Sequence, residues 1–468
     1  MKKVALHNLG CKVNSYELDV MGQKLQENGF IIVPFDEMAD IYIVNTCSVT
    51  NMADRKSRQM LHQAKKRNPG AIIVATGCYA QTGTDKVKAD EAVDLIIGNN
   101  RKKDVVEILQ EYIKLRTEDD DAFTEIKGKV VQETKGQQKT LNDTTVIDIN
   151  HTDEYEEMTL KTTTEHTRAY IKIQDGCNQF CSYCIIPYAR GRVRSRQEED
   201  IIAEVKGLVK NGYREVVLTG IHISSYGMDF DGKKNPVGLE PFDHKRLLLL
   251  MQKLNEIDGL ERIRLGSLEP RIITKEFVEG MLGITKLCAH FHLSLQSGCD
   301  ETLKRMNRHY TTEEYYEKVQ LLRAYFDNPA ITTDVITGFP GETEEEFAQT
   351  KAFLEKICFY ETHVFPYSKR QGTVAAARKD QVDEAIKKQR SAVLLKLDEQ
   401  NAKNYRESFV GQTVNVLFEE TKEIQGRLYQ IGHTDKYVMI AKETAENLSG
   451  QIISGTVKGF LEDDILEI

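Results

Sequence analysis

The chain has 468 residues, 40% hydrophobic and 29% charged, the make-up of a soluble globular protein of two to four domains. Its net charge of -9 does not suggest a nucleic-acid binder, although a local basic patch can bind phosphates on an acidic protein. No apolar run approaches the roughly 20 residues needed to span a bilayer.

The N-terminus, MKKVALHNLGCKVNSYE, lacks a signal-peptide core, so a cytoplasmic location is expected. Nine cysteines in such a compartment argue for metal or redox chemistry over a disulfide framework.

The first hundred residues alternate strand and helix. VALHNLG reads as a strand. Ser15–Asn28 reads as a helix, with Leu18, Met21 and Leu25 at helical spacing. Asp40–Asn45 and Ala71–Thr76 are buried strands around a helix over Ala53–Arg67. This alternation implies a parallel sheet with helices on its faces. Cys11, Cys47 and Cys78 each follow a strand, and the carboxyl ends of parallel strands share one edge. Three buried thiols would satisfy the packing, but three on one edge favour a cluster or a redox site.

From about Gln110 to His166 the periodicity fails. TEDDDAF, KGQQKTLNDTT and DEYEEM are polar and charge-blocked, so residues 111–166 read as a partly flexible linker with one strand at TVIDI.

A second strand–helix series begins at Arg168. Expected strands are Arg168–Gln174, Glu215–Thr219, Arg262–Leu265, His290–Leu295, Ile331–Ile336 and His363–Pro366. Helices alternate with them, and a long one over Gln381–Arg406 follows the last. Six βα units suggest a barrel or partial barrel over 167–408, with its chemistry at the carboxyl ends of the strands. Residues 409–468 are short β segments divided by glycine, a small antiparallel barrel. That last module is acidic, with 5 Lys/Arg against 10 Asp/Glu from Val410 to Ile468.

Just after the first barrel strand, Asp175–Arg196 (DGCNQFCSYCIIPYARGRVRSR) sets Cys177, Cys181 and Cys184 in a C-x3-C-x2-C pattern. Closely spaced thiolates hold iron–sulfur clusters, whereas zinc ribbons need a second CxxC pair or distant histidines. With no fourth cysteine in the stretch, one metal position is left open for a ligand.

This triad resembles that of the radical S-adenosylmethionine enzymes. With Cys11, Cys47, Cys78 and the C-terminal β module, the whole chain resembles the methylthiotransferases. The resemblance implies an α/β protein of three domains: an N-terminal domain (1–110), a radical SAM partial barrel and a TRAM β-barrel. It implies two 4Fe–4S clusters, one on Cys177, Cys181 and Cys184 and one on Cys11, Cys47 and Cys78. It also implies an S-adenosylmethionine chelated by the first cluster and cleaved to a 5′-deoxyadenosyl radical. The second cluster would deliver sulfur, and a second S-adenosylmethionine the methyl group.

Within the resemblance, Thr219 and Gly220 in LTGIH would meet the methionine end of the cofactor. Glu269 in GSLEP, Gln296 in LSLQSG and Asp334 in TTDVITGFPGE would line the same rim, while Gly338, Pro340 and Gly341 form turns. GCKVNSYE, from Gly10 to Glu17, is similar to the MtaB-type branch, which acts on threonylcarbamoyladenosine beside the tRNA anticodon. The isopentenyladenosine branch reads GCQMN and the ribosomal-protein aspartate branch GCPKN.

Six basic residues on Met52–Arg67 and the run Arg190, Arg192, Arg194, Arg196 are expected to meet RNA or cofactor phosphates. An electron donor such as flavodoxin or ferredoxin is a further implied partner.

Overall fold

The protein was analysed as a computed structural model, which describes residues 1–118, 131–134, 137–140, 145–163, 167–230 and 244–468. The N-terminal sheet is parallel and five-stranded, in the order β2-β1-β3-β4-β5. Its strands are β1 (Lys3–Asn8), β2 (Ile31–Val33), β3 (Ile41–Thr46), β4 (Ile72–Gly77) and β5 (Leu95–Ile97). Every residue of β3 and β4 is buried, as expected of strands covered on both faces by helices. Helix α1 (Lys12–Glu27) turns Val13, Tyr16, Val20, Met21 and Leu25 inward, and α2 (Asn51–Arg67) starts where Thr50 accepts a hydrogen bond from the Ala53 N–H. The short strands β2 and β5 have too few residues to show a period.

The hairpin strands β6 (Val131–Thr134) and β7 (Gln137–Thr140) lie in the stretch read as a linker. Most of TEDDDAF falls outside the described residues. TVIDI is not a strand: its last residue opens a 3-10 turn, Ile149–His151. Nor is 145–163 a loose tether, because it straps the two large units together. Tyr155 Oη donates to Lys172 O, Tyr16 Oη donates to Met158 O, and the Leu160 N–H donates to Glu204. Its polar composition hid buried Met158 and Leu160, spaced two apart in an extended segment.

Six parallel strands form the middle unit: β8 (Arg168–Asp175), β10 (Glu215–Gly220), β11 (Arg262–Leu265), β12 (His290–His292), β13 (Ala330–Thr337) and β14 (Glu361–Pro366). The short β9 (Arg194–Ser195) runs antiparallel along the outer edge of β8. Ladders join β8, β10 and β11, and β12, β13 and β14. Bridges Ile263–Leu287 and Leu268–Leu293 link the two sets into one arc. Among the described residues no ladder joins β14 to β8, so the barrel is partial. Helix α1 packs against β8, and one apolar core runs from Val4, Tyr16 and Ile41 through Ile171 to Val335.

The C-terminal unit has β15 (Thr413–Ile424), β16 (Arg427–His433), β17 (Met439–Glu443), β18 (Ile452–Thr456), β19 (Gly459–Glu462) and β20 (Ile465–Glu467). It is antiparallel except for the pair β17–β20. A bulge between Phe418 and Glu420 bends β15, which pairs with β18 through its first half and β16 through its second. This unit caps the amino ends of the barrel strands. Arg262 donates to His433 O and Asn415 O, and Arg264 to Thr434 O and Asp435 O, while Arg168 pairs with Glu419.

Candidate metal centres at two cysteine triads

Parallel register brings Asn8, Asn45 and Thr76 level with one another at the carboxyl ends of β1, β3 and β4, so the cysteines beyond them meet on one edge. Cys11 is the N-cap of α1, Cys47 follows β3, and Cys78 opens the short helix α3 (Cys78–Thr82). Cys47 is fixed by Ser57, which accepts from its N–H (3.2 Å) and donates to its carbonyl (3.3 Å). Only glycine fits at Gly77: φ is +91° and an added Cβ would lie 2.4 Å from Thr46 O. At Gly10, with φ of +114°, a Cβ would crowd Cys47 Sγ at 3.2 Å, so the backbone of Gly10 lies directly against this thiol.

The second triad lies in the loop after β8. Gly176, with φ of +72°, starts it because a Cβ there would overlap Arg192 O at 1.8 Å. The loop is pinned by Cys177 N–H to Gly191 O, Cys184 N–H to Cys181 O and Ser182 N–H to Met306 O, each at 2.9–3.0 Å. Gln174 ties this loop to the next strand end: its side-chain amide donates to Asp175 O and Gly176 O, and its carbonyl accepts from the His222 N–H at 2.7 Å.

Burial pushes the Cys177 thiol up to about 12 and Cys47 up to about 11, with Cys184 also raised. Neighbouring thiols add to each rise by like-charge repulsion. Such sets hold three thiolates only around a cation, which is the donor chemistry of an iron–sulfur cluster.

Each triad also faces one arginine that sequence reading did not single out for this role, Arg190 fully buried and Arg308 half-buried. Arg190 Nε donates to Cys78 Sγ and Arg308 Nη1 donates to Cys181 Sγ, both at 3.4 Å. Arg308 lies 127 residues past Cys181, in RMNRHY, and only the fold brings it to the triad.

Three of the four arginines expected to meet phosphates are buried instead. Arg190 bridges to Glu17, Asn14 and Asp175, Arg194 reaches Arg190 O, and Arg196 pairs with Glu204. Their partners come from α1, from β8 and from the helix Glu198–Lys210, so they join the N-terminal unit to the barrel. Arg192 stacks on Phe180 at 4.4 Å. On α2, Lys65 pairs with Asp94 and Arg67 donates to Phe35 O, leaving Arg55, Lys56, Arg58 and Lys66 exposed.

The rim residues are distributed unevenly. Thr219 and Gly220 end β10, and a Cβ on Gly220 would come within 2.9 Å of Gln174 O. Glu269 caps a turn and pairs with Arg271, whose Nη2 donates to Gln179 inside the second triad loop. Gln296, with φ of +70°, donates its N–H to Asp334 O. The Asp334 side chain is engaged by two histidines, His292 and His363. Cys288 and Cys299 are buried in the barrel, and Cys358 is an exposed left-handed helix cap.

A radical SAM superfamily profile matches residues 171–354, and that of an uncharacterized protein family, UPF0004, matches residues 3–98. Each segment carries one triad. The chain is 38% identical over 454 residues to the Bacillus subtilis threonylcarbamoyladenosine tRNA methylthiotransferase MtaB, covering 97% of this chain and 93% of that protein. The Aquifex aeolicus MtaB is 38% identical, with 94% and 97% covered. A Thermoanaerobacter tRNA-2-methylthio-N(6)-dimethylallyladenosine synthase is 34% identical, with 99% and 92% covered. The fold is shared with the radical S-adenosylmethionine methyltransferase TsrM from Kitasatospora setae, at a TM-score of 0.53 and 15% identity over 80% of this chain and 77% of that one. Similarity this high along almost the whole length, with both triad-bearing segments matched, places the chain in a family: it belongs to the radical S-adenosylmethionine tRNA methylthiotransferases.

Proposed function

We propose that the protein inserts sulfur and a methyl group at C2 of N6-threonylcarbamoyladenosine next to the tRNA anticodon, giving the 2-methylthio nucleoside. The observation that carries this reading is the 38% identity, over 94–97% of the chain, to two relatives named for that substrate.

Cys177, Cys181 and Cys184 would hold one 4Fe–4S cluster, and Cys11, Cys47 and Cys78 the other. Thr219, Gly220, Glu269, Gln296 and Asp334 are the rim residues assigned to S-adenosylmethionine. When bound, these groups supply one-electron cleavage of S-adenosylmethionine together with the sulfur and the methyl group.

The chain's own residues hold the two centres in place. Arg308 and Arg190 each direct an N–H at a cysteine sulfur, Arg308 from a half-buried position and Arg190 from a water-excluded one, where such a donor stabilises thiolate charge most. Gln174 holds the triad loop against the end of β10, so that the rim and the cysteines move as one body. Arg370, on the loop after β14, reaches Asp54 (2.7 Å), Ser48 (2.8 Å) and Asn51 (2.8 Å), locking the barrel to the N-terminal unit beside Cys47.

The exposed Arg55, Lys56, Arg58 and Lys66 of α2 supply backbone contacts to RNA, and an unstacked loop base is the form a radical enzyme can reach. A low-potential electron donor such as flavodoxin or ferredoxin and a cytoplasmic location complete the proposal. No described helix is long and apolar enough to cross a membrane.

Nucleoside mass spectrometry of tRNA from a strain lacking the gene tests the substrate. Loss of 2-methylthio-threonylcarbamoyladenosine is expected, and its persistence overturns the assignment. Loss of the dimethylallyl derivative instead would move the substrate to that of the 34%-identical relative. Unchanged tRNA nucleosides would direct attention to a ribosomal-protein aspartate.

A further inference from the structure

Inside the partial barrel, below the triad, the adjacent strands β12, β13 and β14 bring together His292, Asp334 and His363. Their side chains share the inner face. Thr333 turns outward, where it accepts a hydrogen bond from Tyr315 on the helix Thr312–Tyr325, so its neighbour Asp334 points into the lumen. On β14, Thr362 is buried, while its neighbour His363 has a side chain 52% exposed that stacks on His292.

We propose that His292, Asp334 and His363 form a binding site for one divalent transition-metal cation, with its open coordination positions facing the barrel lumen. Their ligand atoms all lie within 4.8 Å of one another. His292 Nε2 is 3.3 Å from Asp334 Oδ2, and His363 Nδ1 is 3.2 Å from Asp334 Oδ1. Ligands at about 2.0–2.1 Å from a tetrahedral ion stand roughly 3.3 Å apart, so the cluster is already close to coordinating dimensions.

The second nitrogen of His292 is already committed. Its Nδ1 lies 3.0 Å from Thr332 Oγ1, which fixes the ring and aims Nε2 at the cluster. Nε2 is shielded from solvent and meets Asp334 Oδ2 at 3.3 Å, outside good hydrogen-bond geometry. The two imidazoles stack at 5.5 Å between centroids, so both present an edge to the same point. Side-chain exposure rises from 12% at His292 through 29% at Asp334 to 52% at His363, so one side of the cluster stays reachable from solvent.

Two histidines and one carboxylate on rigid strands suit Zn²⁺, Fe²⁺ or Mn²⁺ and leave positions for exogenous oxygen ligands. The site contains no cysteine of either triad and shares only Asp334 with the rim residues assigned to S-adenosylmethionine.

Mn²⁺ is the discriminating probe, because it prefers nitrogen and oxygen donors to the thiolates that would capture Zn²⁺ at an incomplete cluster. The full chain, loaded anaerobically with both clusters and washed free of loose metal, is titrated with Mn²⁺ while the free-ion EPR signal is followed. One Mn²⁺ per chain is expected. Asp334→Asn and His363→Gln should each weaken binding at least about tenfold, while iron stays at about eight per chain. His363→Gln alters the most exposed ligand, so folding survives there even if Asp334→Asn does not fold. Absence of Mn²⁺ binding, or equal affinity in wild type and His363→Gln, would overturn the proposal and leave a hydrogen-bonded His–Asp–His cluster.

Discussion

Arg190 Nε lies 3.4 Å from Cys78 Sγ, and the same guanidinium is bonded to Glu17 and Asp175, so one buried side chain touches the first triad and the strand that leads into the second. Glu17 also pairs with Lys102 and Lys172, and all of these side chains are at most 2% exposed. The attraction of these cations outweighs the burial cost and holds the Glu17 carboxyl well below the usual range. The network is therefore charged and complementary across the boundary between the N-terminal unit and the barrel.

Removing one partner from such a network strands the others without solvent. Glu17→Ala is expected to destabilise the protein by about 3–5 kcal/mol, measured by urea denaturation of the anaerobic holoprotein. A loss under about 1 kcal/mol would mean that water enters the network.

The two triads should separate in function. Replacing Cys177, Cys181 and Cys184 with Ala should halve the iron and abolish reductive cleavage of S-adenosylmethionine. Replacing Cys11, Cys47 and Cys78 should also halve the iron, but leave cleavage intact and remove methylthiolation. Assays of 5′-deoxyadenosine and of 2-methylthio nucleoside read the two outcomes independently. Cleavage that survives the first triple substitution would contradict the assignment.

Arg308 donates to Cys181 Sγ and also to Ser294 O and Tyr310 Oη. Hydrogen bonds to cluster sulfurs raise reduction potential. Arg308→Met should therefore lower the potential of that cluster and slow S-adenosylmethionine cleavage, with the iron content kept. Spectroelectrochemical titration measures the first effect, and an unchanged potential would show that the N–H is not directed at the cluster.

Much of this site could be read from the chain because its cysteines sit immediately after strands whose apolar runs are plain. IYIVN precedes Cys47, IIVATG precedes Cys78, and YIKIQDG precedes Cys177. The arginines were harder. A run of four at alternate positions looks like a phosphate-binding stripe, yet Arg190 is buried against Glu17, 173 residues away, Arg194 against Asp175 on β8, and Arg196 against Glu204 on the following helix. Local composition carries no information about such distant partners. Arg308 and the His292–Asp334–His363 cluster were missed for the same reason, since strand pairing alone joins residues 71 apart, as from His292 to His363.

Asp398, on the helix packed against β14, gives a pH dependence. It accepts the Thr362 N–H at 2.5 Å, but burial still pushes its carboxyl up from 3.8 to about 6. The folded chain thus holds this proton to higher pH than the unfolded chain does. Between about pH 4 and pH 6 the native state binds more protons, so this group's contribution to stability falls as pH rises through that window. Above it the full cost of a half-buried carboxylate remains, about 1 kcal/mol once solvent screening is allowed for. Asp398→Asn keeps an acceptor for Thr362 and removes the charge. It should raise stability near pH 7 by about that amount and leave it unchanged near pH 4. Urea midpoints of both proteins across pH 4–7.5 measure the difference. A gap that is constant with pH would show that Asp398 does not titrate in this range.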